Sequence, residues 1–216
     1  MSGATSLSVD LAAVAPEDAA RARWYGLFAA LFRAPPTREQ LSAIAACAEA
    51  SPDDPDAPTD STLGRAWRDF ARACAQADAD AVREEFDTAF LGVGKADVMP
   101  YASYHLSGFL NDRPLVELRE HLAALGLSRR ADVGLTEDHV AALCETMAWL
   151  IAGDGGKARD FAAQRAFFSR FLGPWFESLA DTIEHSGVTD FYKHAGRLLR
   201  EFLAVERLAF DFDSPQ

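Results

Sequence analysis

Along most of its length the chain repeats apolar residues at helical spacing and nowhere alternates with period two over a strand's length. After a polar start, Pro16-Glu17-Asp18 opens a helix on which Trp24, Leu27, Phe28 and Leu31 recur at i, i+3, i+4 and i+7. Pro35-Pro36 stops it, and Thr37-Arg38-Glu39-Gln40 starts the next helix as a capping box. Ser51 to Asp60, with three prolines and four aspartates, offers no apolar face and reads as a connector. Leu63, Trp67, Phe70 and Cys74 mark a third helix, and Val82, Phe86, Ala89 and Phe90 a fourth, which breaks at Leu91 to Pro100.

Asp112 is placed to cap a helix bearing Leu115, Leu118 and Leu122, closed by Gly126 in a left-handed conformation. Thr136 is the expected N-cap of a helix with Val140, Leu143, Met147 and Leu150 stacked, Glu137 and Asp138 lying in its first turn. Phe161, Phe168 and Leu172 define another, Pro174 begins one through Leu179 and Ile183, and Asp190 precedes a last one with Leu198, Leu199, Phe202 and Leu203. The expectation is an all-α, single-domain globular helical bundle of about eight or nine helices spanning 16–210. Residues 1–15 are read as a flexible N-terminus and 211–216 as a C-terminal tail.

Composition narrows the function. A length of 216 residues with 49% hydrophobic and 25% charged residues suits one folded core. No apolar run reaches the length of a membrane span and no secretion signal is visible, so a cytoplasmic protein without membrane insertion is expected. The net charge of -12 opposes nucleic acid and anionic lipid and favours a basic partner.

Catalytic patterns are missing. Gly92-Val93-Gly94-Lys95 lacks the first glycine and the closing hydroxyl of a phosphate-binding loop, Ala89 and Ala96 standing in their places. Cys47, Cys74 and Cys144 are far apart, and His105, His121, His139, His185 and His194 form neither Glu-x-x-His nor His-x-x-x-His. No catalytic residue, cofactor or metal is expected, and the chain is read as a non-enzyme.

Two segments carry candidate binding chemistry. Pro100-Tyr101-Ala102-Ser103-Tyr104-His105 concentrates rings and hydroxyls at a break between helices, which suits a groove for a peptide backbone. The same composition also suits an interhelical loop with its tyrosines in the core. Thr136-Glu137-Asp138-His139 offers carboxylates for arginine, or ordinary capping chemistry.

Taken in order, Phe86 to Gly94, Pro100-Tyr101-Ala102-Ser103-Tyr104, Glu137-Asp138-His139, and Gln164-Arg165-Ala166-Phe167-Phe168 with Gly173-Pro174-Trp175 resemble the signatures of the TorD/DmsD family of redox-enzyme maturation chaperones. Ser169-Arg170-Phe171 departs from the histidine frequent in that family, and Ala102 replaces a frequent acidic residue. The resemblance implies a cytoplasmic chaperone that binds the twin-arginine signal peptide of a molybdopterin-dependent oxidoreductase precursor and delays its export until the cofactor is inserted.

On that implication Pro100, Tyr101, Ser103 and Tyr104 line the groove, Asp138 and His139 contact or orient the peptide, and Glu137 supplies charge for arginine. Asp138→Ala or His139→Ala is then expected to weaken peptide binding with little effect on melting. Trp24, Trp67 and Phe86 are further candidates, although aromatic residues at helical spacing ordinarily serve the core. Two alternatives remain: an assembly chaperone of the nitrate-reductase type acting on a non-exported client, and a guanine-nucleotide-binding protein using Gly92 to Lys95. Monomer and domain-swapped dimer are both open.

Overall fold

The computed structural model describes residues 14–49, 61–92, 96–130, 133–153 and 158–212. The connector Ser51–Asp60, the glycine-loop residues Val93, Gly94 and Lys95, most of the expected N-terminal segment and residues 213–216 of the expected tail lie outside them.

Ten α-helices stand among the described residues: α1 (Pro16–Arg33), α2 (Arg38–Glu49), α3 (Thr62–Gln76), α4 (Ala79–Phe86), α5 (Ala102–Ser107), α6 (Arg113–Ala124), α7 (Val140–Ala152), α8 (Phe161–Phe171), α9 (Phe176–His185) and α10 (Tyr192–Phe212). The described residues contain no strand, and the all-α expectation holds. The helix beyond the expected eight or nine is α5, whose six residues are too few to display a period.

Local signals act where chemistry requires them. The Thr37 N–H donates to Gln40 Oε1 at 2.8 Å and the Gln40 N–H to Thr37 Oγ1 at 3.3 Å, a reciprocal capping box opening α2. Asp112 accepts from the Arg113 N–H at the start of α6, and Gly126 beyond its end has φ 78°. A single π-helical turn, Asp87–Leu91, extends α4 and brings Ala89 and Phe90 into the interior.

The chain packs as two compact units. The first combines the chain up to Arg33 with Pro100–Trp175, and so holds α1, α5, α6, α7 and α8. Its central element is α7, with eleven of its thirteen residues buried, the pattern of a helix enclosed by its neighbours. Helix α1 packs along α7 with Ala22, Tyr25, Phe28, Ala29, Leu31 and Phe32 buried, while Trp24 and Leu27 are only half-buried. The buried face is thus turned from the expected one, because the small Ala22 and Ala29 belong to it and carry no apolar bulk for a pattern to register.

The second unit combines Ala34–Met99 with Phe176–Gln216. Helix α10 packs against both α9 and α3, and α2 lies on α3. Phe86, Phe90, Phe191 and Tyr192 form an aromatic cluster with ring-centre separations of 4.9 to 5.7 Å. Glu85 reaches the start of α10, its two carboxylate oxygens accepting the N–H groups of Phe191 at 2.9 Å and Tyr192 at 2.7 Å. This supplies from a distant helix the negative cap that a helix N-terminus favours.

No described helix is long and apolar enough to cross a membrane.

Candidate functional site

Three of the singled-out segments meet in the first unit. Tyr101 and His139 form an isolated antiparallel bridge, with the Ala102 N–H donating to Asp138 O and the Val140 N–H to Pro100 O, each at 2.9 Å. The rings of Tyr101 and His139 meet edge to face at 4.9 Å. Pairing holds His139 extended after a turn from Thr136, so α7 begins at Val140. This corrects the expected N-cap: Thr136 lies outside the helix and its hydroxyl donates to Asp138 Oδ1 at 2.6 Å, while His139 caps α7 by accepting the Ala141 N–H on Nδ1. Glu137 and Asp138 accordingly precede the helix and are not in its first turn.

Asp138 is the knot of the arrangement. It is 1% exposed, and its Oδ2 accepts both the N–H and the hydroxyl of Ser103, itself wholly buried. Every oxygen of the carboxylate therefore has a hydrogen-bond donor, which offsets the cost of burying the charge. His139 is 3% exposed, and burial lowers its pKa to about 4 against the opposing pull of the Asp138 charge. The imidazole is neutral near pH 7, as an Nδ1 that accepts a hydrogen bond requires. Burial raises the Tyr101 pKa, with Asp138 adding to the effect.

These burials change the expectation for the Asp138→Ala and His139→Ala variants. Both residues hold the two segments together, so their loss removes structure as well as any contact. Pro100 is also buried, whereas Tyr101, Tyr104 and Glu137 are half-buried and present atoms at the surface. Glu137 already holds arginine, being 3.0 Å from Arg119 and 3.7 Å from Arg129.

The third segment joins through α5. His105 stacks on Trp175 at 5.2 Å, and Trp175 Nε1 donates to Phe171 O at 2.6 Å. Gln164 accepts from Arg21 of α1 at 3.1 Å and donates to Arg159 O. Trp24 belongs to this unit, stacked on Phe28 at 6.2 Å. Trp67, half-buried, and Phe86, in the aromatic cluster, belong to the second unit.

Two concavities flank the bridge. A cleft of about 360 Å³ has Asp138 in its wall together with Ala102, Leu106, Glu117 and Arg170. A cavity of about 400 Å³ lies beside Thr136 and Glu137 and is walled by Leu122, Leu127, Leu135 and Ala142. Sequence reasoning missed Arg33, Glu145 and the wall of this second cavity, since nothing in their spacing connects the end of α1 with the middle of α7. No group of His, Cys, Asp or Glu among the described residues could hold a metal ion.

Residues 56–181 match the model of the nitrate reductase delta subunit family, more than half of the chain. The protein belongs to this family. Among curated relatives, the chain is similar to the chaperone protein TorD of Aliivibrio fischeri, 28% identical over 130 residues, covering 56% of this chain and 60% of the relative. TorD of Vibrio cholerae is 28% identical over 134 residues, covering 59% and 61%. The chain thus spans about 60% of the length of the curated relatives it matches. A chain from Archaeoglobus fulgidus solved as a redox enzyme maturation protein has the same fold, with a TM-score of 0.58 at 19% identity over 85% of this chain and 93% of that one.

The delta-subunit family assignment and the TorD relatives agree with the resemblance carried by the signatures. Both relatives are named as chaperones, a non-catalytic role that agrees with reading this chain as a non-enzyme.

Proposed function

We propose that this member of the delta-subunit family is a cytoplasmic maturation chaperone that binds the twin-arginine N-terminal peptide of a molybdopterin oxidoreductase precursor and holds it until cofactor insertion. The observation that carries the reading is the bridge at Tyr101 and His139, which unites the two signature segments across more than thirty residues of sequence. Around it lie the half-buried rings of Tyr101 and Tyr104, the Glu137 carboxylate and an apolar cavity. A twin-arginine signal combines cationic and apolar stretches, and a binder for it needs acidic groups beside an apolar recess. In this reading Tyr104 and Glu137 touch the peptide, Asp138, Ser103, His139 and Pro100 hold the surface in shape, Tyr101 does both, and Trp24 supports the unit through α1. Phe86 serves the core of the second unit and Trp67 is half-buried there, and neither is assigned a peptide contact.

Calorimetric titration with synthetic N-terminal peptides of molybdoenzymes from the same organism tests this. Micromolar or tighter binding that disappears when both arginines are replaced supports the reading, and absence of binding to every such peptide refutes it.

A second reading is favoured by the family match itself: assembly of a nitrate-reductase-type client that is not exported. It predicts binding to the client's N-terminus or folded subunit with no dependence on an arginine pair.

A further inference from the structure

The longest helix of the second unit carries an apolar stripe on its outer face. Along α10, Val205, Leu208 and Phe212 recur at i, i+3 and i+7 and are 46%, 58% and 88% exposed. The opposite face, with Leu199, Phe202, Leu203 and Phe210, is buried, so the helix is apolar on two sides and only one of them serves the core.

The charged residues around the stripe fall into two groups. Arg200 is held by Asp181 at 2.7 Å and Glu184 at 2.9 Å, and Arg207 by Glu177 at 2.7 Å, all three acids lying on α9. Lys193 pairs with Asp190 at the start of the helix. Arg197 and Asp211 are exposed and make no ion pair among the described residues. They stand fourteen residues apart, with Leu208 eleven residues beyond Arg197. These spacings are close to four and three whole turns, so all three share a face.

That face is positive towards one end, negative towards the other and apolar between, which makes it complementary to a reversed copy of itself. The midpoint is Ala204, small enough for two helices to approach closely. A twofold axis there lays Arg197 of each copy beside Asp211 of the other and brings Glu201 level with Arg207 of the other copy. Val205 and Leu208 close over the axis, and the Phe212 ring meets the Arg197 stem of the other copy. Parallel pairing would instead set Arg197 against Arg197 and Asp211 against Asp211.

Size agrees with a modest contact. The exposed parts of Val205, Leu208 and Phe212 amount to roughly 350 to 400 Å² of apolar surface per copy, a little under the apolar share of a standard interface partner.

We infer that the outer face of α10 pairs antiparallel with the same face of a second copy of this chain, forming a reversible twofold dimer through the second unit. The inference stands apart from the peptide reading, which concerns the first unit. It also differs from a domain-swapped dimer, because no element is exchanged and the copies separate on dilution without unfolding.

Sedimentation velocity of the full chain from about 1 to 200 µM tests it, with a midpoint expected at about 10 to 100 µM. Leu208→Glu, which sets a carboxylate in the stripe, is expected to weaken association at least about tenfold. Arg197→Asp and Asp211→Arg each bring like charges together and are expected to weaken it about fivefold or more. The chain carrying both changes restores the opposite charges and is expected to return to within about twofold of the wild type. Recovery in the double variant excludes misfolding as the cause of the single-variant losses, and circular-dichroism melts accompany each sample. A wild type that stays monomeric throughout overturns the inference, including the case in which Leu208→Glu loses client binding instead. So does a dimer unchanged by Leu208→Glu, as a swapped dimer would be, or a double variant no tighter than the singles.

Discussion

Asp138 accepts the backbone N–H of Ser103 at 3.0 Å and its hydroxyl through the same Oδ2 atom, across 35 residues of sequence. With Thr136 on Oδ1, one buried carboxylate gathers three donors from two segments. Replacing it by alanine strands all three, two of them on the wholly buried Ser103. Asp138→Ala is expected to cost roughly 3 to 5 kcal/mol of stability. Asp138→Asn keeps an acceptor for Ser103 and an N–H for Thr136, and should cost about 1 kcal/mol; urea-unfolding midpoints compare the two.

The pH dependence of stability should carry the mark of His139. Its folded pKa of about 4 lies below the ordinary 6.5, so between these values the unfolded chain binds a proton that the folded chain does not. The contribution is fully present above about pH 6.5 and is lost as pH falls toward about 4, amounting to about 3 kcal/mol. His139→Asn can still accept the Ala141 N–H and does not titrate. Its stability curve should be flatter than the wild type's over that interval and lie below it at pH 7.5, where the ring contact with Tyr101 is lost, as measured by urea midpoints at a series of pH values.

At the other unit, Glu85 is the remote cap of α10. Glu85→Ala leaves two N–H groups at the start of α10, those of Phe191 and Tyr192, without their acceptor and should cost about 2 kcal/mol, while Glu85→Gln retains an oxygen and should cost about half as much. Thermal melts followed by circular dichroism give the ranking, and equal melting temperatures for the wild type and Glu85→Ala would refute the capping role.

Gly196 sits in mid-helix, ordinarily a poor place for glycine. A Cβ there would lie 2.7 Å from Ile183 Cγ2 and 3.0 Å from Ile183 Cβ, atoms fixed close to the α9 backbone. The gain in helix propensity from alanine, about 1 kcal/mol, is smaller than the overpacking cost of about 1 to 3 kcal/mol. Gly196→Ala should lower the melting temperature, and adding Ile183→Ala should cost less than the sum of the two single changes.

How far the chain could be read in advance varied with the origin of each signal. The Thr37–Gln40 box, the Asp112 cap and the Gly126 stop rest on bonds within a few residues, and each acts where its pattern placed it. Thr136 carried an equally good capping pattern and failed, because Asp138 took its hydroxyl and the bridge to Tyr101 held His139 extended. The turned face of α1 escaped for a related reason: Ala22 and Ala29 belong to the interior through the approach of α7, not through their own hydrophobicity.

Local periodicity and short-range capping determined that this protein is helical and approximately where its helices stop, because the energies involved act within one turn or two. The signature segments likewise named residues that the first unit brings together. Only the tertiary structure decided what each one does. It buried Asp138 and His139 as ties, left Glu137 at a surface already holding arginine, and set Glu145 and Arg33 on the same apolar recess. Exposure and partnership depend on which distant helix arrives beside a residue, and that is a property of the packed chain that no local spacing encodes.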